Sequence, residues 1–139
     1  MRRSSPACAL AEYHEIKPSY YSKAMQKLVV AELVRSFEGR AGGLALPKPA
    51  EDITVLQIVL TLEEDQRFFR CTKLRQQGPC AAPASQYQKP CNNARLMHRA
   101  DAEWRRVLAK TTLSDLRQSV LDNTVPGVTE ATEAWLAEP

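Results

Sequence analysis

CTKLRQQGPCAAPASQYQKPC, residues 71–91, contains three of the four cysteines and three of the nine prolines of the chain. Because proline lacks a backbone N–H and interrupts a helix, these three prolines predict a bend in the chain. On both sides of the stretch, apolar residues recur at helical spacing. The sequence therefore predicts a helical hairpin over residues 52–124, with its loop at residues 78–92.

Residues 19–38 have the clearest helical pattern and predict an N-terminal amphipathic helix. Apolar side chains recur there at every fourth position, which places them on one face of the helix. We expect this face to pack in a core or against another subunit rather than to bind a cofactor. The predicted interface residues are Tyr21, Met25, Val29, Leu33 and Phe37.

The other segments are predicted to be extended or short. Residues 1–18 have no clear period and predict an extended N-terminal arm, whereas residues 39–51 combine three glycines with a Pro-x-Pro and predict a linker. Residues 53–62 fit a helix or a strand, and a helix over about residues 53–77 is favoured because no second strand is evident. Residues 125–139 predict a turn and a short helix. The predicted fold class is all-α.

Positive charge is concentrated in the hairpin, although the chain has a net charge of only +3. Residues 67–110 carry ten Lys or Arg against two acidic residues, a net charge of +8. Such a surface suits RNA phosphates, anionic lipid headgroups or an acidic subunit, and a solvated helix surface is the alternative. The predicted basic patch consists of Arg67, Arg70, Lys73, Arg75, Arg95, Arg99, Arg105 and Arg106.

The four cysteines permit three complete disulfide pairings. Cys71 and Cys91 are the favoured pair, since antiparallel helices bring the ends that flank a loop within disulfide reach. Four reduced thiols in a cytosolic protein are the alternative. No Cys-x-x-Cys is present, and His14 and His98 lie at no recognised ligand spacing. We therefore predict no metal and no other cofactor.

The sequence does not predict an enzyme or a membrane span. It contains no glycine-rich phosphate loop and no motif that frames a nucleophile, so we expect no catalytic residues. The longest apolar run, residues 53–62, is interrupted by Gln57 and is about half as long as a transmembrane helix requires.

The order of helix, Cys71, loop, Cys91 and helix resembles the cysteine-paired helical hairpins of the twin Cys-x9-Cys family and related accessory subunits of mitochondrial respiratory complexes. The spacings here are Cys71-x8-Cys80 and Cys80-x10-Cys91, so only Cys71 and Cys91 match as a structural pair. The resemblance implies an all-α fold and a location in the mitochondrial intermembrane space or at the periphery of the inner membrane.

These features together predict a non-catalytic accessory subunit of a large, mitochondrial respiratory assembly. Its helices and extended arms are expected to stabilise the other subunits of the complex. One alternative is an RNA-binding organellar ribosomal protein that uses the basic residues of the 67–110 block. Another is a cytosolic scaffold protein with reduced cysteines.

Overall fold

The computed structural model of the chain describes residues 6–37, 43–63 and 69–137. The N-terminal elements are α1 (Pro6–Tyr13), α2 (Pro18–Val30), β1 (Arg35–Phe37) and β2 (Gly43–Ala45). The following helices are α3 (Val55–Leu62), α4 (Asn92–Lys110), α5 (Leu113–Asn123) and α6 (Val128–Ala137). Short 3-10 turns lie at Ala50–Asp52, Leu74–Gln76 and Ala84–Gln86.

Helices α1 and α2 pack against each other across a short turn. Glu15 in this turn has a φ of 52°, in the left-handed region that residues with a side chain seldom adopt. The N–H of Ile16 donates to the carbonyl oxygen of Ala11 at 2.8 Å, which closes the end of α1. Pro18 then begins α2, where its fixed φ suits the first helical position.

The prediction of an extended arm over residues 1–18 is wrong for Pro6–Tyr13, which form α1. Eight residues form a helix there, although a helix this short is marginal by itself in water. Ala9 and Ala11 are buried, so tertiary packing stabilises the helix. The local sequence pattern does not report such packing, which is why the helix was not predicted.

The predicted helix over residues 19–38 is correct only as far as Val30. Beyond it, Glu32 adopts a φ of 55° and the N–H of Leu33 donates to the carbonyl oxygen of Leu28 at 2.9 Å. The chain then enters β1, which pairs antiparallel with β2. The all-α fold class is therefore wrong, because a two-stranded β-hairpin accompanies the helices.

The predicted apolar ridge is divided among three elements. Tyr21, Met25 and Val29 lie on α2, whereas Leu33 lies in the turn that follows and Phe37 lies in β1. Leu33 is 6% exposed and Phe37 is 52% exposed. The regular spacing extended past the helix because the turn also delivers an apolar side chain to the core.

The core lies between α2, α3 and the start of α5. Its buried centre consists of Leu28, Leu33 and Ile53. Burying an aliphatic side chain of this size contributes about 1.5–3 kcal/mol. The half-buried apolar side chains around this centre are Met25, Val34, Ile58, Leu62 and Leu113. Packing on α3 therefore determines which face of α2 remains outside.

Backbone hydrogen bonds join the start of α3 to the start of α5. The N–H of Val55 donates to the carbonyl oxygen of Thr111, and the N–H of Leu113 donates to that of Ile53, both at 2.8 Å. Because α4 leads into α5 at this point, the junction holds three helices together.

Both helices at this junction begin with a capping box. Thr54 caps α3 with Gln57, and Thr112 caps α5 with Asp115. In each box the threonine hydroxyl accepts from a backbone N–H while the second side chain accepts from the threonine N–H. The helix favoured for residues 53–77 is thus confirmed over Val55–Leu62, whereas Leu74–Gln76 near its expected end form a 3-10 turn.

The long connection between α3 and α4 differs from the predicted loop at residues 78–92. Helix α3 ends at Leu62, and residues 69–91 contain 3-10 turns but no α-helix. Helices α3 and α4 nevertheless pack against each other. Assignment of residues 52–124 to one hairpin stays a prediction. Within the described ranges, no helix is long and apolar enough to cross a membrane.

Candidate functional site

The outer face of α2 is exposed and polar. Buried Leu28 fixes the inner face, and Ser19, Lys23, Gln26 and Val30 lie on the opposite side at spacings of four, three and four residues. The face thus offers a hydroxyl, an ammonium and an amide at successive turns of the helix. These groups supply hydrogen-bond donors and acceptors in a row along the helix, which rises about 1.5 Å per residue.

The β-hairpin follows α2 directly and adds positive charge beside it. Arg35 is exposed in β1, and Lys48 is half-buried shortly after β2. Both line a groove of about 610 Å³ between the end of α2 and the hairpin, together with Glu32 and Ser36. The residues that connect the two strands lie outside the described ranges. Arg35 in β1 and Lys48 after β2 therefore lie next to the end of α2, in a groove that Glu32 also lines.

Three cysteines lie on the connection between α3 and α4, and all three are free thiols in this structure. Cys71 and Cys80 are exposed, whereas Cys91 is half-buried at the N-terminus of α4. The predicted bridge between Cys71 and Cys91 is thus not formed here, and their pairing stays a prediction.

Cys91 is the N-cap of α4. The N–H of Ala94 donates to its Sγ at 3.3 Å. This hydrogen bond is the main cause of a lowered pKa of the Cys91 thiol; partial desolvation opposes the shift and the charge of Arg75 adds to it. Asparagine is a preferred N-cap residue, yet the N-cap here is Cys91 rather than Asn92 or Asn93, which follow it.

Cys71 and Cys91 line one open cavity of about 1290 Å³, to which Cys80 does not contribute. The Arg75 guanidinium lies over the Tyr87 ring at 5.1 Å and donates to the Lys89 carbonyl oxygen at 3.0 Å. Among the described residues, no three His, Cys, Asp or Glu side chains come close enough together to hold a metal ion.

The predicted basic patch is spread over two regions. Arg70, Lys73 and Arg75 lie on the loop, and Arg95, Arg99, Arg105 and Arg106 lie on α4. Arg67 is outside the described residues. Some of this charge is neutralised locally, since Arg105 pairs with Asp101 at 3.1 Å and Arg106 pairs with Glu103 at 2.7 Å. The role of the patch stays a prediction.

Two helices joined by a short turn and followed by a β-hairpin form a winged helix-turn-helix. The sequence model of the family described as "Rrf2: Iron-dependent Transcriptional regulator" matches residues 2–119 of the chain. The chain belongs to the Rrf2 family.

Curated relatives of this Rrf2 chain are bacterial. NsrR of Oceanobacillus iheyensis, an HTH-type transcriptional regulator, is 28% identical over 107 residues, which are 77% of this chain and 69% of NsrR. The YffB protein of Lactococcus lactis is 35% identical over 74 residues, which are 53% of this chain. The match spans only 47% of the YffB length.

Solved structures agree with the Rrf2 assignment. The oxidised form of Staphylococcus aureus CymR is 28% identical with a TM-score of 0.57, and the match covers 81% of this chain and 74% of CymR. IscR of T. potens has a TM-score of 0.62 over 91% of this chain and 77% of IscR. At 21% identity, IscR supports the fold alone.

The family assignment corrects several predictions. The chain is not a cysteine-paired accessory subunit of a respiratory complex, an organellar ribosomal protein or a mitochondrial protein, because its family is one of transcriptional regulators and its relatives are bacterial. Respiratory subunits are therefore also the wrong partners. The expectation that the chain is not an enzyme is confirmed by the same family description.

The residues that the sequence predictions missed are those of the outer face of α2: Ser19, Lys23 and Gln26. Their signal was present, since they lie opposite Leu28 on a helix that begins with proline. The apolar side of the same helix has the more regular pattern and concealed them. A second signal was the glycine-rich segment after it, which is also typical of a hairpin connection.

The iron named in the family description has candidate ligands in this chain. Three cysteines fit an iron–sulfur cluster by donor chemistry, because such clusters are held by cysteine thiolates. Cys91 is the best prepared of them, since its pKa is lowered by the N–H of Ala94. The arrangement of the described residues does not gather the three thiols at one point. Holding such a group would require the loop to close.

Proposed function

We propose that this chain is a DNA-binding regulator of transcription that places α2 in the major groove. The observation that carries the proposal is the exposed outer face of α2 with Ser19, Lys23 and Gln26, followed at once by an antiparallel hairpin. The major groove of B-DNA admits an α-helix and presents a distinct donor and acceptor pattern for each base pair. The first helix of the pair, α1, packs against α2.

Individual side chains of α2 have chemistry suited to bases. Gln26 matches the N6 and N7 edge of adenine, and Lys23 matches the O6 and N7 acceptors of guanine. Arg35 and Lys48 lie beside the helix and are suited to phosphates, which fix register without reading sequence. The proposed interface therefore divides into a reading surface on α2 and an anchoring surface on the hairpin.

A second copy of the chain is the proposed protein partner. The described residues have a small buried core, whereas α4 and α5 carry several large exposed apolar side chains. Regulators of this architecture commonly bind as two-fold dimers to half-sites separated by one turn of DNA, about 34 Å. The exposed apolar residues on these helices are Leu96, Val107, Leu116, Val120 and Leu121.

We also propose that an iron-containing group at Cys71, Cys80 and Cys91 adjusts DNA binding. The support is the family description together with the three thiols on one loop. When bound, such a group would supply redox- or iron-responsive chemistry. The chain's own contribution is the thiolate character of Cys91 at the start of α4.

The test is selection of binding sites from random double-stranded DNA, followed by titration of the best site. Gln26→Ala is expected to lose about 1–3 kcal/mol of discrimination at one adenine position. Arg35→Ala is expected to weaken binding to all sequences and to make the salt dependence shallower. Arg117→Ala removes the same charge from exposed α5 and serves as the control. Failure to enrich any sequence with the wild-type protein contradicts the proposal.

Anaerobic addition of iron and sulfide tests the iron component separately. The expected result is visible absorption with iron bound to the protein, and both signals should be lost in Cys91→Ala. A change in affinity for the selected DNA site is expected in the same samples. Bound iron that is unchanged by removal of all three cysteines contradicts this assignment of the ligands.

A further inference from the structure

We propose that α6 is a brace for the helix-turn-helix, and that Thr132 and Trp135 are positioning residues for DNA binding. The proposal goes beyond the proposed function but relies on it for its DNA readout. Helix α6 contacts α1 although they lie at opposite ends of the chain. The Tyr13 and Thr132 hydroxyls share a hydrogen bond of 2.8 Å, across 119 positions of sequence.

An aromatic cluster accompanies this hydrogen bond. The Tyr13 ring lies 5.1 Å from the Trp135 ring, tilted by 59°. It also meets the His14 ring edge to face at 5.0 Å. Offset and tilted pairs at these distances are favourable beyond the area that they bury. Tyr13 is therefore held from α6 through both its ring and its hydroxyl.

The contact lies where it influences α2. Tyr13 is the last residue of α1, and the strained Glu15 follows within the turn to α2. The left-handed backbone conformation is unfavourable for a residue other than glycine, and it is retained only when the surrounding structure holds it. Fixing Tyr13 restricts the direction in which the turn leaves α1, and so restricts the angle at which α2 is presented.

The turn before α6 sets the direction in which this helix approaches Tyr13. Gly127, immediately before α6, has a φ of 89°, which is unfavourable for any residue with a side chain. The N–H of Ala131 donates to the Gly127 carbonyl oxygen at 3.1 Å and continues the turn into the helix. The end of α5 is thereby connected to the helix-turn-helix through α6.

The experiment compares variants in the full chain, using the DNA site selected with the wild-type protein. Trp135→Ala is expected to bind about three- to tenfold more weakly, the equivalent of losing one aromatic pair. Thr132→Val and Tyr13→Phe remove the same hydrogen bond, so their effects should not add in the double variant. Leu136→Ala changes the adjacent exposed residue of α6 and should bind as the wild type does.

Two readouts separate positioning from loss of folded protein. When α2 is misdirected, Arg35 and Lys48 beside it reach fewer phosphates. The slope of log K against log salt then falls by about 0.9 for each phosphate that the protein no longer neutralises. Unfolding lowers the active fraction and leaves that slope unchanged. In addition, Trp135→Phe keeps an aromatic ring and should restore most of the affinity.

Wild-type affinity and wild-type salt slope in folded Trp135→Ala and Thr132→Val would overturn the proposal. If Trp135→Ala does not fold, Trp135→Phe and Thr132→Val decide by the same criteria. The proposed function fails separately if the wild-type chain selects no DNA sequence. In that case the fluorescence of Trp135 tests the brace without DNA. The Trp104→Phe variant leaves Trp135 as the single tryptophan of the chain, and adding Tyr13→Ala should shift the Trp135 emission to the red. An unchanged spectrum removes the brace.

Discussion

Cys91 combines two roles at one residue, because the same sulfur caps a helix and belongs to a thiol whose pKa is lowered. A cap that uses sulfur is weaker than one that uses a hydroxyl oxygen, since sulfur is a poor hydrogen-bond acceptor. Serine would cap α4 better and would remove the thiol chemistry. Replacement of Cys91 by serine therefore separates the two roles.

We predict that Cys91 reacts with iodoacetamide before Cys71 and Cys80 at neutral pH. Exposure alone predicts the opposite order, since Cys91 is half-buried and the other two are exposed. The lowered pKa from the Ala94 N–H makes more of Cys91 a thiolate, which is the reactive form. Peptide mass analysis after brief labelling measures the order. Faster labelling of both exposed cysteines would contradict it.

Asp115 gives a prediction about pH. Its pKa is lowered mainly by the hydrogen bond from the Thr112 N–H, and the Thr112 hydroxyl adds to the effect. A carboxylate whose pKa is lowered in the folded state stabilises above its unfolded pKa, and this contribution is lost as the pH falls through the folded value. Asp115→Asn should therefore be less stable than the wild type at neutral pH.

The difference between Asp115→Asn and the wild type should disappear in acid. Urea unfolding of both proteins at several pH values measures it. Asp122→Asn, later in the same helix, is the control for removing a carboxylate from α5. A difference that is constant down to the most acid pH would show that the Asp115 charge does not stabilise the helix end.

At the scale of elements, helix α3 is the support on which α2 rests. It contacts α2 and α4, and the Lys27 ammonium donates to the carbonyl oxygen of Leu62 at 2.9 Å, at its C-terminal end. Thr54 caps the other end through both bonds of its capping box. A helix of eight residues has few internal hydrogen bonds, so its ends decide much of its stability.

Thr54→Ala is predicted to destabilise the protein by about 1 kcal/mol, the usual cost of losing a threonine N-cap. The reason is that the Gln57 N–H loses its acceptor at the start of α3. Thermal unfolding followed by circular dichroism measures the change. Thr61→Ala makes the same substitution at the far end of α3 and is expected to cost less, since alanine favours helix. Equal effects at both positions would contradict the importance of the cap.

The elements that the sequence did not reveal are those that depend on contacts between residues distant in the chain. Helical spacing of apolar residues after the loop correctly indicated helix there, where α4 and α5 lie. Strands of three residues are too short to show alternation, so β1 and β2 could not be recognised by period. Leu33 continued the helical spacing from within a turn, which hid the end of α2.

The candidate site was harder to predict than the helices. Ser19, Lys23 and Gln26 are ordinary polar residues in the sequence, and only the burial of Leu28 gives them a shared direction. The three cysteines were recognised at once, but their number and spacing favoured a disulfide, with free thiols as the alternative, and gave no recognised metal-ligand pattern. Charge was misleading too, since the densest basic block lies on the loop and α4 rather than on α2.

At the scale of the whole molecule, the core is small and centred on Ile53, which is 1% exposed. Ile53→Ala is predicted to cost about 2–5 kcal/mol, because a buried cavity adds to the lost transfer energy. Leu74→Ala, at a residue that is 75% exposed, is the control and should change little. Denaturant unfolding measures both. Similar stability of the two variants would mean that Ile53 is not the centre of the core.

The exposed apolar side chains of α5 lead to the last prediction, which concerns assembly. Val120 is 63% exposed in the single chain, yet apolar side chains of this kind recur along one side of α5. If a second copy covers this side, a charge at position 120 must be buried or the dimer must separate. Val120→Lys is therefore expected to give a monomer with an intact fold, as measured by sedimentation and circular dichroism.

Gln118→Lys is the matched control, because it adds the same charge on the opposite side of α5. The new lysine would also lie one turn from Asp122, with which Gln118 now forms a hydrogen bond of 2.7 Å. Both variants gain one positive charge, so a general increase in attraction to DNA affects them equally. Only Val120→Lys should lose preference for two half-sites over one, because a monomer presents a single α2. If Val120→Lys remains a dimer, the second copy does not use this face of α5.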